Sequence, residues 1–178
     1  SCIPEDPPLC AGPAGRYGTP FASDEVKKAD VLLGLGCRFS DLSTLNWSII
    51  SPGTKIIHVD IDPKELGRQY EEKVSIVGDV KSFLQAAIHE LEGRRVPKPG
   101  AASPETNPRL ATLVKEREAE RASFFEPAAH ASVPGRPHLL VQEIIGVLER
   151  DAIVALGSGL YNRFAGRVRL SAPGSYLK

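Results

Sequence analysis

The sequence predicts an α/β fold: an open parallel sheet with helices on both faces, followed by a partial second α/β segment. Three observations predict it. Short, almost wholly apolar runs recur at Val31 to Gly36, Lys55 to Asp60 and Val74 to Val77. Segments of helical character fall between and after these runs, and each run ends in acidic or glycine punctuation. Strands buried on both faces read as continuous apolar runs, and alternating strand and helix implies parallel βαβ units with right-handed crossovers.

Each element has its own signal. Ser1 to Pro20 is crowded with Gly and Pro, which set tight turns, and reads as a loop that follows earlier chain. Ser23 is placed to cap a short helix running to Lys28, with Asp24 and Glu25 in its first turn. After the second run, Asp62 as cap and Pro63 at the first helical position open another short helix. Val80 to Arg94 places Phe83, Leu84, Ala87, Ile88 and Leu91 at amphipathic spacing. Val96 to Pro108, rich in Pro, Gly, Ala and Thr, reads as a linker; an exposed helix over Leu110 to Phe125 and a second Pro/Gly stretch follow it. Leu139 to Arg150 has one apolar face, and Ala152 to Leu156 reads as a buried strand ending in the turn Gly157-Ser158-Gly159, with no second strand legible before Lys178. The expected division is 1–95, 96–137 and 138–178.

Composition narrows the class. Lys and Arg number 22, Asp and Glu 22, and no dense basic block is present, so nucleic-acid and membrane-surface partners are not expected. No apolar run approaches the roughly 20 residues of a membrane span and the start lacks a signal layout, so a cytoplasmic location is expected. Cys2, Cys10 and Cys37 lack paired spacing, which argues against a disulfide framework or a zinc site. The absence of Met agrees with an internal fragment or a processed start.

In open parallel sheets ligands sit beyond the carboxyl ends of the strands. The residues there are Gly36, Cys37, Arg38 and Asp41, then Asp60, Ile61 and Asp62, then Asp79 and Val80. Position 39 is Phe, so the GxGxxG dinucleotide pattern starting at Gly34 is not met. Asp60 is placed to accept from a ribose diol, and Arg38 to offer its fork to a phosphate. The plain alternatives stay open: Asp62 as a cap, Asp60 as a turn former, Arg38 and Asp41 as a surface ion pair. Gly12, Gly15 and Gly18 form a loop able to cradle a phosphate or ring through its N–H groups, or simply a turn-rich connector. His58, His89, His130 and His138 show no ligand spacing and read as structural or solvent-facing; neither a catalytic nor a metal-ligating set is expected.

Four ordered blocks carry a resemblance: Gly12-Pro13-Ala14-Gly15-Arg16-Tyr17-Gly18-Thr19-Pro20, Ala29 to Arg38, His58-Val59-Asp60-Ile61-Asp62-Pro63, and Gly78-Asp79. Together they resemble the middle domain of thiamine-diphosphate-dependent enzymes of the acetolactate synthase type, and His138 to Leu177 is similar to the start of that family's cofactor-diphosphate domain. The resemblance implies a Rossmann-like domain lacking its first strand and helix, holding FAD, ADP or nothing. The matching contact positions are Ala14, Gly15, Arg16 and Tyr17, then Gly36, Cys37, Arg38 and Asp41, then Asp60, Ile61, Asp79 and Val80. Where flavin-binding members continue with Asp-Arg-Val, this chain has Asp41-Leu42-Ser43-Thr44, which weighs toward an adenine nucleotide or an empty site. The resemblance also implies a parent enzyme using thiamine diphosphate and Mg2+, assembled as a dimer or tetramer. Neither the activating Glu nor the Gly-Asp-Gly to Asn-Asn motif lies in this chain, so the chain alone is expected to be inactive. A stand-alone nucleotide or flavin sensor, or a ligand-free domain that buttresses an oligomer, are the alternatives.

Overall fold

The computed structural model describes residues 9–94, 104–105, 107–124, 137–149, 152–155 and 176–177. The chain divides into two compact units, Asp24–Ala101 and a second made of Ser1–Ser23 with Ala102–Lys178.

In the first unit β1 (Val31–Leu35), β2 (Lys55–Asp60) and β3 (Val74–Val77) form a sheet in that order. Both pairs are parallel, with Leu35 opposite Val59 and Asp60 opposite Val77. The open parallel α/β class is therefore observed. Residues opposite one another share a face. Leu32, Gly34, Ile56, His58 and Asp60 thus line one face, and Val31, Leu33, Ile57 and Val74 the other. Central β2 is largely buried, whereas Val31, Leu33, Val74 and Val77 in the outer strands are roughly half exposed. An apolar run records a β-forming segment, but only a strand with neighbours on both sides gains full cover within this unit.

The loop after β1 folds back to make the core. Phe39 is buried with Ile49, Ile50, Ile56 and Val59. Its ring lies over Gly34 so closely that a Cβ there would stand 2.5 Å from Phe39 Cζ. Gly34 therefore serves internal packing against Phe39. Leu45, Asn46 and Trp47 all have positive φ, at 49°, 55° and 58°. Hydrogen bonds from Asn46 N–H to the Asp41 carbonyl (2.7 Å), from Trp47 N–H to Thr44 Oγ1 (3.0 Å) and from Trp47 Nε1 to the Phe39 carbonyl (3.1 Å) hold this costly turn.

The helix expected from Pro63 is instead a pair of turns. Asp62 Oδ1 accepts from Lys64 N–H (3.0 Å), an Asx turn that competes with helix propagation, and Gly67 at φ 67° ends the segment. α2 (Val80–Gly93) follows β3 as the spacing predicts and packs against β2.

α1 (Pro20–Lys27) starts earlier than expected. Thr19 is its cap: Thr19 Oγ1 accepts from Ala22 N–H at 3.0 Å, and Pro20 takes the first helical position, where its missing N–H costs nothing. Ser23, the expected cap, is buried inside the helix.

In the second unit α3 (Pro108–Phe124) is capped by Asn107, whose Oδ1 accepts from Arg109 N–H at 3.0 Å. Arg117 Nη1 donates to the Cys10 carbonyl (2.6 Å) and Phe21 N–H to Glu120 Oε2 (3.3 Å), which docks α3 on the segment before α1 and on the first turn of α1. α4 (Pro137–Gly146) ends at its glycine, short of Arg150. β4 (Val154–Ala155) pairs in parallel with β5 (Tyr176–Leu177), a strand that the sequence did not reveal because two residues carry no period. The turn expected at Gly157-Ser158-Gly159 lies outside the described residues. Among them, no helix is long and apolar enough to cross a membrane.

Candidate functional site

Parallel pairing places the ends of β1, β2 and β3 at one edge of the sheet. The ends are stitched by backbone bonds, Gly36 N–H to the Val59 carbonyl at 2.8 Å and Gly78 N–H to the Asp60 carbonyl at 3.0 Å. Gly36 has φ 57°, a conformation that suits glycine, and a Cβ there would meet Val80 Cγ2 at 3.7 Å. Gly36, Asp60 and Val80 are thereby neighbours across three segments that are distant in sequence.

The side chains at this edge differ in freedom. Arg38 is exposed, with Nε 4.0 Å from Glu65 Oε1. Glu65 is held by Arg68 through bonds of 3.0 and 3.1 Å. The ion pair weighed between Arg38 and Asp41 is thus replaced by one with Glu65. Asp60 is buried; its Oδ1 accepts from Asp62 N–H at 2.9 Å. That bond is the turn-forming role, and it uses one lone pair of a carboxylate that has about four. Asp41 and Ile61 are exposed, and Cys37 is half-buried with a free thiol. Asp79 caps α2: its Oδ2 accepts from Ser82 N–H (2.8 Å) and from the Ser82 hydroxyl (3.0 Å), and these bonds hold its carboxyl below the usual range.

Beneath Asp60 lies His58, one of the four histidines that the sequence places as structural or solvent-facing. His58 is fully buried on the same face, edge-on to Phe39 at 4.9 Å between ring centroids. Its Nδ1 is 2.6 Å from Glu72 Oε1, and its Nε2 is 3.9 Å from Asp60 Oδ2. Burial pushes the Glu72 carboxyl up, but hydrogen bonds from the Ser75 hydroxyl, the Gly67 N–H and His58 outweigh it and set it below the ordinary value. Glu72 is therefore an ionised acceptor, so His58 Nδ1 carries the hydrogen. His58 is structural, as expected, but the 14 residues between it and Glu72 hid the pair.

In the other unit, the glycine loop turns several of its N–H groups inward. Gly15 N–H donates to the buried Ser23 hydroxyl (3.1 Å), Gly18 N–H to the Gly15 carbonyl (3.0 Å) and Thr19 N–H to the Pro13 carbonyl (2.9 Å). A Cβ at Gly18 would lie 2.1 Å from the Pro13 carbonyl oxygen, so the turn requires glycine there. Gly15 is buried, Ala14 and Tyr17 are half-buried and Arg16 is exposed. Among the described residues no cluster of His, Cys, Asp and Glu is arranged to hold a metal ion.

Parallel strands in the order β1-β2-β3, with α2 packed on β2, define a Rossmann-like α/β class. Residues 1–87 match the model of the family described as "Thiamine pyrophosphate enzyme, central domain". A probable acetolactate synthase large subunit of Methanocaldococcus jannaschii is 46% identical over 94 residues, 51% of this chain and 16% of that protein. One of Methanococcus aeolicus is 30% identical over 148 residues, 83% of this chain and 24% of that protein. A probable acetolactate synthase 2, chloroplastic, of Oryza sativa subsp. japonica is 35% identical over 167 residues, 92% of this chain and 24% of that protein. The chain belongs to the thiamine pyrophosphate enzyme family, whose central domain it carries. It spans between 16% and 24% of the length of these relatives.

Proposed function

We propose that this chain is a non-catalytic, nucleotide-holding part of a thiamine-diphosphate-dependent enzyme of the acetolactate synthase type. The observation that carries this reading is the meeting of Gly36, Asp60 and Val80 at one sheet edge, in a chain of that family. The residues fit the ribose part of FAD or ADP. Asp60 keeps lone pairs for a diol, and Gly36 leaves the strand end uncrowded by a side chain. Arg38 supplies a cation for a diphosphate, and Ile61 an exposed apolar surface. No bond-making step falls to these residues; they bind and orient.

The parent enzyme, on this reading, decarboxylates a 2-keto acid and transfers or releases the resulting unit, with thiamine diphosphate and Mg2+ bound by other parts of the assembly. Similarity over 167 residues to the rice protein supports a continuation past the central domain, in keeping with 138–178 as the start of the cofactor-diphosphate domain. Homo-oligomerisation and a cytoplasmic location belong to the same proposal.

One observation favours a ligand-free buttressing role instead. The Asp79 carboxylate already occupies the N-terminus of α2, the place where a phosphate would otherwise be drawn. Isothermal titration of the chain with FAD, ADP and NAD separates the readings. Saturable binding of FAD or ADP, weakened about tenfold or more by Asp60→Ala and by Arg38→Ala, is expected. Binding of neither favours the buttress. A longer polypeptide containing this chain is expected to consume pyruvate when given thiamine diphosphate and Mg2+, and inertness toward 2-keto acids would overturn the parent reading.

A further inference from the structure

Two acceptors face each other inside the unit Asp24–Ala101. His58 Nδ1–H donates to the ionised Glu72, which leaves Nε2 of the neutral ring with a lone pair. Nε2 is buried without a hydrogen-bond partner among the described residues, and Asp60 Oδ2 stands 3.9 Å from it. Neither atom can donate to the other, and a buried nitrogen left unpaired is costly.

One added proton removes the conflict. An imidazolium donates from both nitrogens, so Nε2–H gains Asp60 as an acceptor while Nδ1–H keeps Glu72. The charged groups that face the ring are both anionic, Asp60 on β2 itself and Glu72 on the connection to β3. Its other close neighbours, Phe39 at 4.9 Å between centroids and Gly34, carry no charge, and Tyr70 lies against Phe39 at 5.8 Å. A buried cation needs compensation, and this ring has a carboxylate toward each nitrogen. The ring itself is held in place by Glu72 and Phe39, and the site of a Gly34 Cβ lies 3.5 Å from His58 Cδ2. Movement therefore falls to Asp60. Its Oδ1 accepts from Asp62 N–H at 2.9 Å, and a shift of Oδ2 by about 1 Å reaches the roughly 2.8 Å of a charge-assisted bond.

We infer that His58 and Asp60 form a pH-sensitive latch: when Nε2 takes up a proton it closes on Asp60 Oδ2 and ties the end of β2, through the imidazole, to Glu72. Because Oδ1 of the same carboxylate bonds Asp62 N–H, closure is felt in the turn at the sheet edge. The new bond exists only while the ring is charged and Asp60 ionised. Its contribution is present in mild acid, is lost as pH rises through the titration of the ring, and is lost again in strong acid, where Asp60 is neutralised. The latch involves protons alone and does not depend on a ligand at the strand ends.

Nitrogen-15 NMR of the 178-residue chain tests it. In the wild type, the His58 ring is expected to carry hydrogen on Nδ1 alone at about pH 8 and on both nitrogens at about pH 5, with the Asp62 amide resonance shifting at the same midpoint. A ring still neutral at about pH 5, or an Asp62 amide that does not follow the ring, overturns the inference. Asp60→Asn removes the anion and lets an amide N–H donate to the neutral Nε2, so the His58 midpoint is expected to fall by about one pH unit, a tenfold loss of proton affinity. An unchanged midpoint in the folded variant, the mark of a ring governed by Glu72 and burial alone, overturns the latch. If Asp60→Asn does not fold, the wild-type titration decides by itself, since the ring and the Asp62 amide are both read without a variant.

Discussion

Replacing Gly34 with alanine tests the contact that builds the site's floor. The new Cβ would stand 2.5 Å from Phe39 Cζ and 3.0 Å from Cε2, against an ordinary carbon contact of about 3.5 to 4.0 Å. The ring must therefore retreat by roughly 1 Å, and a gap of that size forfeits about a quarter to a half of each contact that it makes. Those contacts include His58, at 4.9 Å between centroids, and Tyr70, at 5.8 Å. Overpacking of this kind costs about 1 to 3 kcal/mol. In a strand with open space the same substitution would stabilise by about 0.5 to 1 kcal/mol, so the sign alone is diagnostic. Trp47, the single tryptophan, reports on this unit, because its Nε1 donates to the Phe39 carbonyl at 3.1 Å. Urea unfolding followed by its fluorescence should show Gly34→Ala destabilised, and the penalty should vanish in a Phe39→Leu background, which removes Cζ. A stabilised Gly34→Ala chain, or an equal penalty in both backgrounds, would refute the packing argument.

Three further outcomes are expected. Ser23→Ala leaves the Gly15 N–H without its 3.1 Å acceptor and should cost about 1 to 3 kcal/mol, with the Gly15 amide exchanging much faster in hydrogen-exchange NMR. Glu72, whose carboxyl is held below its usual 4.5, contributes stability that is fully present above that pH and is lost as pH falls through its folded value. The stability gap between wild type and Glu72→Gln, read from urea midpoints, should therefore be widest near neutrality and close in acid. Asp79→Ala should shorten α2 from its start and lower helical circular dichroism, and this loss too should shrink in acid, because the Asp79 carboxyl lies below the ordinary range through its bonds from Ser82.

The three strands and α2 were legible because each carries a local signal, an apolar run or an amphipathic period. Asp60 and Asp79 could be placed at strand ends for the same reason. What each carboxylate does there was less visible. The Asp79 cap depends on Ser82, which reads only as part of a helix, and the Asp60 surroundings depend on Glu72, at the far end of the connection from β2 to β3. Ser23 was mistaken for a cap because Ser before acidic residues is the usual signature, yet Thr19-Pro20 is an equally good one and won through the packing of Ser23 against Gly15. The ring of Phe39 over Gly34, and the positive-φ turn at Leu45 to Trp47, are tertiary facts with no periodic trace.

The central claim is that the strand ends bearing Gly36, Asp60 and Val80 form a ribonucleotide site. Titrating the nitrogen-15-labelled chain with ADP and following its backbone amides tests it most directly, because even weak binding moves resonances. Shifts concentrated at Gly36 to Arg38, Ile61 to Asp62 and Gly78 to Val80 are the predicted result. An unchanged spectrum at millimolar ADP, or shifts clustered away from that edge, would contradict it.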